Sequence, residues 1–426
     1  MKRIFVWILG FILSWMSFAA PSFAASSIGS GNAIAQRLSQ NAPLVQSAIA
    51  LLTTEAKQIK DRSLRSATLA LIQNPKACIQ HRIKLTDQTK TAIVQTLLSA
   101  GLADAKDDTT FPGGLKAGIF PPVLNDESRC PQIPQPFSSA PGGSFGGHHS
   151  HPGGLAVHEL FNDLSGQAFM QLYRQIYGQH DRQGLPIVNV STRSSDITIS
   201  DDVTIAAPIW HDWAKTIVFQ WNADGTEFPE LNFGGNGTTD NYGQAGNSKT
   251  GAHHLLGLAE SIKQKLAPQF VIAQASAHAA PSLGNEYKVV NWIRAAAILA
   301  QIDPVKQGYL ARDAQNQLRL PTLNRLGDLN LNAKNQTNLL AEYAIHNLSD
   351  ADFVLSIPAV TIDDEILKAI APEFGYRSDD ATAYNTKFRN PALTYLSAER
   401  LFIVYSHQGL TGVRSELQTL RRRKLI

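Results

Sequence analysis

The first quarter of the chain alternates apolar and polar positions with the period of an amphipathic helix. Its apolar residues recur three, four or seven positions apart, as do Ile34, Leu38, Val45, Ile49 and Leu52. Thr86 and Asp87 begin a further run of this kind, which Gly101 ends. The pattern predicts a helical N-terminal region over residues 25–107.

The helical period breaks at residues 108–147, where Pro, Gly and Ser dominate, and this composition predicts a linker. The period returns over residues 148–305 and is interrupted once, by a polar stretch rich in Gly and Asn at 222–251. Residues 306–426 are mixed but mostly helical in pattern. We therefore expect a mostly α protein, with a helical middle domain at 148–305 between helical N- and C-terminal regions.

The N-terminus carries the pattern of a secretory signal peptide. Lys2 and Arg3 precede an apolar run from Ile4 to Phe18, and the segment Ser22-Phe23-Ala24 has small residues at the two positions that a signal peptidase reads. An uncleaved membrane anchor is the alternative, but the run is shorter than the roughly 20 apolar residues of a membrane span. We expect residues 1–24 to be removed, which predicts a periplasmic or extracellular protein with no membrane span in its mature form.

The charge balance argues against one class of partner. Loss of residues 1–24 removes two basic residues and no acidic one, so the mature chain is nearly neutral. The terminal run "RRRK" at 421–424 is typical of a solvated helix end, and no basic stripe with interleaved aromatic residues occurs elsewhere. A long nucleic acid is therefore not the expected partner.

The only two cysteines are Cys78 and Cys130, both in the part of the chain expected to be exported. An oxidising compartment favours their pairing, and such a disulfide would contribute about 4 kcal/mol in the chain-entropy description. Their spacing also allows two separate buried thiols.

Histidine and aspartate residues occur on several of the predicted helices of the middle domain. These are His158, the adjacent pair His211 and Asp212, the adjacent pair His253 and His254, His278, and Asp303. Neighbouring residues on a helix point about 100° apart, so His211 and Asp212 can both reach one ion. The second carboxylate oxygen of Asp212 could reach another. Imidazole and carboxylate ligands together suit first-row metals or zinc.

The same segments resemble the HD-domain metal-dependent phosphohydrolases. The stretch "HHSHPGGLAVHE", residues 148–159, is similar to the opening motif, in which a His-His pair and a Gly-Gly-Leu turn lead to the first ligand, here His158. The stretch "IAAPIWHDWAK" is similar to the signature His-Asp helix with its trailing lysine, here His211, Asp212 and Lys215.

Three later segments continue the resemblance in order. "GAHHLLG" is similar to a motif whose ligand aligns with His253 rather than His254, "ASAHAAP" aligns His278, and "AAAILAQIDP" resembles the last helix and ends in Asp303. The resemblance covers residues 145–305, about a third of the chain. The insertion at 222–251 separates motifs that usually lie closer together.

The resemblance implies two divalent metal ions, drawn from Mn, Fe, Mg, Ni or Zn. One would be held by His158, His211, Asp212 and Asp303, and the other by Asp212, His253 and His278. Asp212 and Lys215 are the expected catalytic residues, with Lys215 offsetting the charge of a substrate phosphate. His149 and His151, with His148, are expected at the rim or in the turn, and His149, His151 and His254 stay open as alternative ligands.

The expected activity is hydrolysis of a phosphomonoester or phosphodiester by a metal-activated water, on a small phosphorylated substrate. The insertion at 222–251 is expected to cover the metal site and to select the substrate, because long polar loops on a rigid scaffold often carry recognition. Two other functions fit the same residues. One is a di-iron oxygenase on the same type of scaffold, and the other is a non-catalytic exported module that binds a metal or ligand.

Overall fold

The computed structural model describes residues 28–188, 195–236, 247–282, 284–321 and 339–426, so the predicted signal peptide lies outside the described residues. The fold is mostly α, which confirms the predicted class. Its helices are α1 (Asn32–Asn41), α2 (Pro43–Gln58), α3 (Arg62–Gln73), α4 (Asp87–Ser99), α5 (Asp107–Thr110), α6 (Gly114–Ile119), α7 (Gly154–Tyr177), α8 (Asp201–His211), α9 (Lys215–Val218), α10 (Ala252–Lys263), α11 (Pro268–Ala275), α12 (Glu286–Ala300), α13 (Ala341–Ser349), α14 (Phe353–Ile370), α15 (Ala381–Tyr384), α16 (Asn390–Leu396) and α17 (Ala398–Arg422).

One hydrophobic core joins the predicted N-terminal region to the predicted middle domain. It contains residues of α2, α3 and α4 together with residues of α8, α10, α11 and α12. Phe137 and Ala140, from the Pro- and Gly-rich segment between them, are buried in the same core. The segment 108–147 therefore contributes to a core that both regions share, and it does not separate two independent cores.

Helix α7, with 24 residues, and the shorter α8, with 11, both contribute to this core. Helix α7 packs against α2, α8 and α13, and α8 packs against α3 and α11. The start of α8 is well defined because Ser200 caps it by accepting a hydrogen bond from the backbone N–H of Val203. Asp201 and Asp202 in its first turn also favour a helix start there. The apolar residues that follow, such as Ile209 and Trp210, are fully buried.

The C-terminal region divides between two cores. Helix α13 packs on α7, α8 and α11 and so belongs with the central helices. Helices α14, α16 and α17 enclose a second apolar cluster that includes Leu367, Phe388, Leu393 and Leu417. Residues 339–349 are thus part of the scaffold around α7, whereas the last 70 or so residues form an added helical layer.

The described parts of the insertion are anchored at both ends. Strand β1 (Asn232–Phe233) pairs antiparallel with β2 (Thr250–Gly251), with Phe233 opposite Thr250. Phe233 is fully buried, and β2 leads directly into α10. Residues 237–246 lie outside the described part of the chain. A second hairpin, β3 (Ala311–Arg312) with β4 (Leu318–Arg319), follows α12.

Cys78 and Cys130 form a disulfide that closes a loop across 52 positions of sequence. The bond ties the segment after α3 to the segment before α7. Of the two arrangements that the spacing allowed, the structure has the paired one. Among the helices that the structure describes, none combines the length and apolar character needed to cross a bilayer.

Glu227 in the insertion is a buried carboxyl group, and burial raises its pKa to about 8 from an ordinary value of 4.5, although the nearby charge of Arg389 opposes the rise. The folded protein therefore binds this proton more tightly than the unfolded chain does. This contribution to the free energy of unfolding is fully present below about pH 4.5 and is lost as the pH rises to about 8.

We expect Glu227→Gln to remove that pH dependence and to raise the free energy of unfolding at pH 8 by about 1 to 3 kcal/mol, since no buried charge then forms. Denaturant unfolding at pH 5 and pH 8 measures both values. The exposed Glu365 on α14 gives the matched control, Glu365→Gln, which should leave the difference between the two pH values unchanged. If the free energy of unfolding of Glu227→Gln changed with pH as much as that of the wild type, Glu227 would not be the group responsible.

Candidate metal centre

Side chains from five separate elements converge at one buried point between α7, α8 and α10. Their donor atoms come from His158 on α7, His211 and Asp212 at the end of α8, His253 on α10, His278 after α11, and Asp350 after α13. All except His278 are buried, and His278 is exposed at the floor of a cleft. Five of these six residues are among the ligands predicted from the sequence.

The first group of donors combines two imidazoles and two carboxylates. His158 Nε2 lies 3.2 Å from Asp212 Oδ2 and 3.2 Å from Asp350 Oδ1. His211 Nε2 lies 3.4 Å from Asp212 Oδ1 and 3.2 Å from the same oxygen of Asp350. The four donor groups thus face one another across a space small enough for a single cation.

The second group contains Asp212, His253 and His278, whose donor atoms lie within 4.8 Å of one another. His253 Nε2 is 3.1 Å from Asp212 Oδ1. Asp212 therefore belongs to both groups, with an oxygen available to each. The sequence-based hypothesis of a bridging carboxylate agrees with this arrangement.

Each of the four imidazoles is oriented by its other nitrogen. Three Nδ1 atoms pair with oxygens from elsewhere in the chain: His158 with Asp352 at 3.2 Å, His253 with Glu230 at 2.6 Å, and His278 with Thr250 at 2.7 Å. The Nδ1 atom of His211 lies 2.7 Å from the carbonyl oxygen of Pro208, three positions earlier in α8. This fixes Nδ1 outward and leaves Nε2 facing the centre. Metal-binding histidines generally show such a second partner, which sets both the ring orientation and the tautomer.

The insertion supplies two of these outer partners. Glu230 precedes β1 and also accepts a hydrogen bond from the backbone N–H of His253, at 2.8 Å. Thr250 is in β2, and its pairing with β1 fixes the position of its hydroxyl beside His278. Residues 222–236 and 247–251 thus contribute to the walls of the centre.

The opening stretch "HHSHPGG" forms the turn that starts α7. Gly153 has φ of +84°, a conformation that only glycine adopts readily, and a Cβ there would meet Val45 at 2.4 Å. A Cβ on Gly154 would lie 1.9 Å from the carbonyl oxygen of His149. The two glycines therefore let the turn fold tightly enough to place His158 one helical turn into α7.

The histidines of this turn have separate roles. His149 Nε2 is 2.8 Å from Asp352, which in turn contacts His158, so His149 helps to hold an outer carboxylate. His148 lines the cleft and its ring lies 4.8 Å from that of His158. His151 is buried with its Nδ1 at the carbonyl of Pro152, 3.2 Å away, and lies outside the two donor groups.

Asp303 is not part of the centre, which corrects the sequence-based ligand assignment. Helix α12 ends at Ala300, and the exposed carboxylate of Asp303 accepts hydrogen bonds from the backbone N–H groups of Val305 and Lys306. Its role is to cap the following turn. The carboxylate that meets His158 and His211 is that of Asp350.

The position of Asp350 is set by contacts between α7 and α13. Asn162 donates a hydrogen bond to Asp350 Oδ1 at 3.2 Å, and it accepts one from Ser349 at 2.5 Å. Both Asn162 and Ser349 are buried. This pair fixes the end of α13 against α7, one turn along from His158.

Sequence reasoning missed Asp350, Asp352, His346 and Glu159. The segment "HNLSDAD" carries a signal, because His346 and Asp350 are four positions apart at a helix end, as two residues on one face would be. The ring of His346 lies 5.0 Å from that of His211, and its Nδ1 is 2.6 Å from the carbonyl of Ala273. Glu159 is adjacent to His158 in sequence, and its carboxylate lies 3.6 Å from His211.

Lys215 has a different environment from the one expected. Its ammonium group is buried and contacts Asp212 Oδ2 and the carbonyl oxygen of Gly142. It is not among the residues that line the cleft. Lys215 therefore balances the charge of the shared carboxylate, and the predicted direct contact with a substrate phosphate does not follow from this geometry.

His253 and His254 are distinguished by their directions. His253 points its Nε2 at Asp212, whereas His254 stacks on the ring of His278 at 4.0 Å and meets Trp292 edge-on at 5.0 Å. Burial, and then the neighbouring His278 and His253, hold the pKa of His254 well below its ordinary value. Of the two adjacent histidines, His253 is the one placed as a ligand.

The charges of the centre depend strongly on one another. Burial lowers the pKa of His211, but the carboxylates of Asp212, Glu159 and Asp350 outweigh it and raise the pKa to about 10. Burial alone would raise the pKa of Asp212, yet the cationic groups around it, His211 first, hold it well below its usual range. Buried carboxylates here are thus stable only beside concentrated positive charge.

The donor set fits a metal ion. The atoms His253 Nε2 and Asp212 Oδ1 are buried and face each other, and neither has a hydrogen-bond partner within the described part of the chain. A cation between them would satisfy both. Imidazole nitrogens with carboxylate oxygens suit Zn, Fe, Mn or Ni, whereas Mg prefers oxygen ligands almost alone.

A cleft of about 830 Å³ opens onto the centre. His278 and Asp350 form part of its floor, so a small molecule in the cleft can reach the donor groups. No protein-family model matches the chain, and neither does a curated protein or a solved structure.

The replacement of Asp303 by Asp350 in the ligand assignment can be tested with a matched pair of variants. We expect Asp350→Asn to weaken binding of Zn²⁺ or Mn²⁺ by at least about 100-fold, since it removes a ligand charge, whereas Asp303→Asn should bind as the wild type does. Calorimetric titration of metal-free protein measures both, with circular dichroism to confirm the fold. Metal loss in Asp303→Asn, with normal binding by Asp350→Asn, would contradict the ligand set.

Proposed function

We propose that this protein is a metal-dependent phosphohydrolase that cleaves a phosphomonoester or phosphodiester. The observation that carries the proposal is the shared carboxylate of Asp212, which belongs to two adjacent donor groups, each with one further member, Asp350 or His278, in the lining of a cleft. Two cations a few ångströms apart are typical of enzymes that hydrolyse phosphoesters. The order of the first group along the chain, His158, His211, Asp212 and then Asp350, supports the resemblance to HD-domain phosphohydrolases with one ligand replaced.

His158, His211, Asp212 and Asp350 would hold one ion, and Asp212, His253 and His278 the other, drawn from Zn, Fe, Mn or Ni in preference to Mg. When bound, such ions lower the pKa of water from about 16 to about 7 and so supply hydroxide at neutral pH. That change corresponds to about 12 kcal/mol, more than any single side-chain hydrogen bond contributes.

The protein's own residues orient and balance this chemistry. Asp352, Glu230 and Thr250 fix the imidazoles with Nε2 inward, so that the donor groups are in place before a substrate arrives. Lys215 offsets the negative charge of Asp212 through a buried ion pair. His148, half-buried at the cleft wall, lies where it can contact the substrate.

The most direct test of the activity is Asp212→Asn. Asparagine has nearly the same shape, so packing should survive, but it lacks the charge and the second strong oxygen donor that two cations require. We expect hydrolysis of a panel of phosphoesters to fall to background, while Asp303→Asn retains wild-type turnover. The melting temperature of Asp212→Asn in excess metal should fall below that of the metal-free wild type, because the variant also leaves the buried ammonium of Lys215 without its carboxylate partner.

Wild-type turnover and metal content in Asp212→Asn would refute the proposal. Metal binding without hydrolysis of any ester in the panel would instead indicate an exported binding module. Oxygen consumption by an iron-loaded protein would indicate a di-iron oxygenase.

The second donor group has a separate test. We expect the wild type to hold close to two metal ions per chain and His278→Ala to hold one, since the proposed arrangement assigns His278 to the second ion alone. Plasma mass spectrometry of the purified proteins gives the stoichiometry. His407, exposed on α17, provides the matched control His407→Ala, which should keep both ions. One ion in the wild type, unchanged in His278→Ala, would exclude the second site.

A further inference from the structure

The cleft beside the metal centre is much larger than a phosphate group requires. Its volume of about 830 Å³ falls in the range of pockets that enclose organic ligands of several hundred daltons. Of the donor residues, only His278 and Asp350 are in its lining. The remaining volume is large enough for a part of the substrate other than phosphate.

One wall of the cleft is apolar and open. Leu348 on α13 and Phe353 and Ile357 on α14 line it with exposed fractions of 48%, 46% and 42%. Large apolar side chains grouped beside a polar centre are a mark of a binding surface, because their exposure to water is unfavourable. A bound apolar group would remove this surface from water.

Helix α12 contributes aromatic and cationic side chains to the same cleft. Tyr287 is held by a hydrogen bond from its hydroxyl to the carbonyl of Asn247 at 3.3 Å, which leaves its ring along the cleft. Lys288 beside it has no ion-pair partner among the residues that the structure describes, whereas Lys249 is paired with Asp104 and Asp107. An unpaired ammonium at this position attracts an anionic substrate.

We infer that the substrate is a phosphate ester of an aromatic or extended apolar alcohol. Its phosphate would lie at the donor groups, and its organic part would lie between Tyr287 and the wall formed by Phe353 and Ile357. The inference rests on the proposed function. A small or highly polar alcohol, such as glycerol, would leave both the volume and the apolar wall unfilled.

Two esters that differ only in the apolar group test this assignment. Ethyl phosphate and 2-(1-naphthyl)ethyl phosphate are both esters of primary alcohols, so a difference in kcat/KM reports on the cleft rather than on the leaving group. We expect the wild type to prefer the naphthyl ester by about 100-fold, and Ile357→Ser to reduce that preference about ten-fold. Leu355 lies on the same helix with a similar exposed fraction, 45%, but does not line the cleft, so Leu355→Ser should retain the preference.

Binding of phosphonates separates this inference from the proposed function. Calorimetry of the metal-loaded protein with methylphosphonate and 2-(1-naphthyl)ethylphosphonate requires no turnover. Preferential binding of the naphthyl compound, lost in Ile357→Ser but not in Leu355→Ser, supports the cleft assignment even if no ester is hydrolysed. The absence of hydrolysis would in that case refute the proposed phosphohydrolase activity alone. Hydrolysis of both esters at equal kcat/KM, or equal behaviour of the two serine variants, overturns the inference alone. If the protein neither bound the phosphonates nor hydrolysed the esters, both the inference and the proposed function would be overturned.

Discussion

The shared carboxylate of Asp212 is the interaction on which the site depends. Asp212 is fully buried and contacts His158, His211, His253 and Lys215 at once. A buried carboxylate without positive charge around it would be too costly to keep ionised. The helices are therefore arranged so that their polar residues meet at this group, while their apolar residues form the core on all other sides.

A second constraint acts one layer further out. His158, His253 and His278 each have an oxygen partner from a different part of the chain, so the fold determines their orientation. The partner of His211 is in its own helix. The partner of His253 is Glu230 and that of His278 is Thr250, both in the insertion. The pairing of β1 with β2 within the insertion holds these two partners in place, because a loose loop could not hold two rings in a fixed direction.

The sequence was sufficient for the fold class and for most of the inner residues, for identifiable reasons. Helical periodicity identifies amphipathic helices wherever they occur, and the His-Asp pair at 211–212 is local information. Neither the periodicity nor this pair indicates which helices become neighbours in space. Asp303 and Asp350 both follow the end of a helix, and only the packing of α13 on α7, through Asn162 and Ser349, selects Asp350. The direction of Lys215 depends in the same way on Gly142, which lies 73 positions away.

The order of these residues along the chain has a consequence for how the protein is made. His158 contacts Asp352 across 194 positions of sequence, so the ribosome completes more than four-fifths of the chain before Asp350 and Asp352 are both present. Until then, the emerging chain offers histidines and Asp212 without Asp350 and Asp352 to orient and neutralise them. Contacts so distant in sequence also form late in folding. The complete donor set, and with it any discrimination among metal ions, is therefore a property of the finished chain.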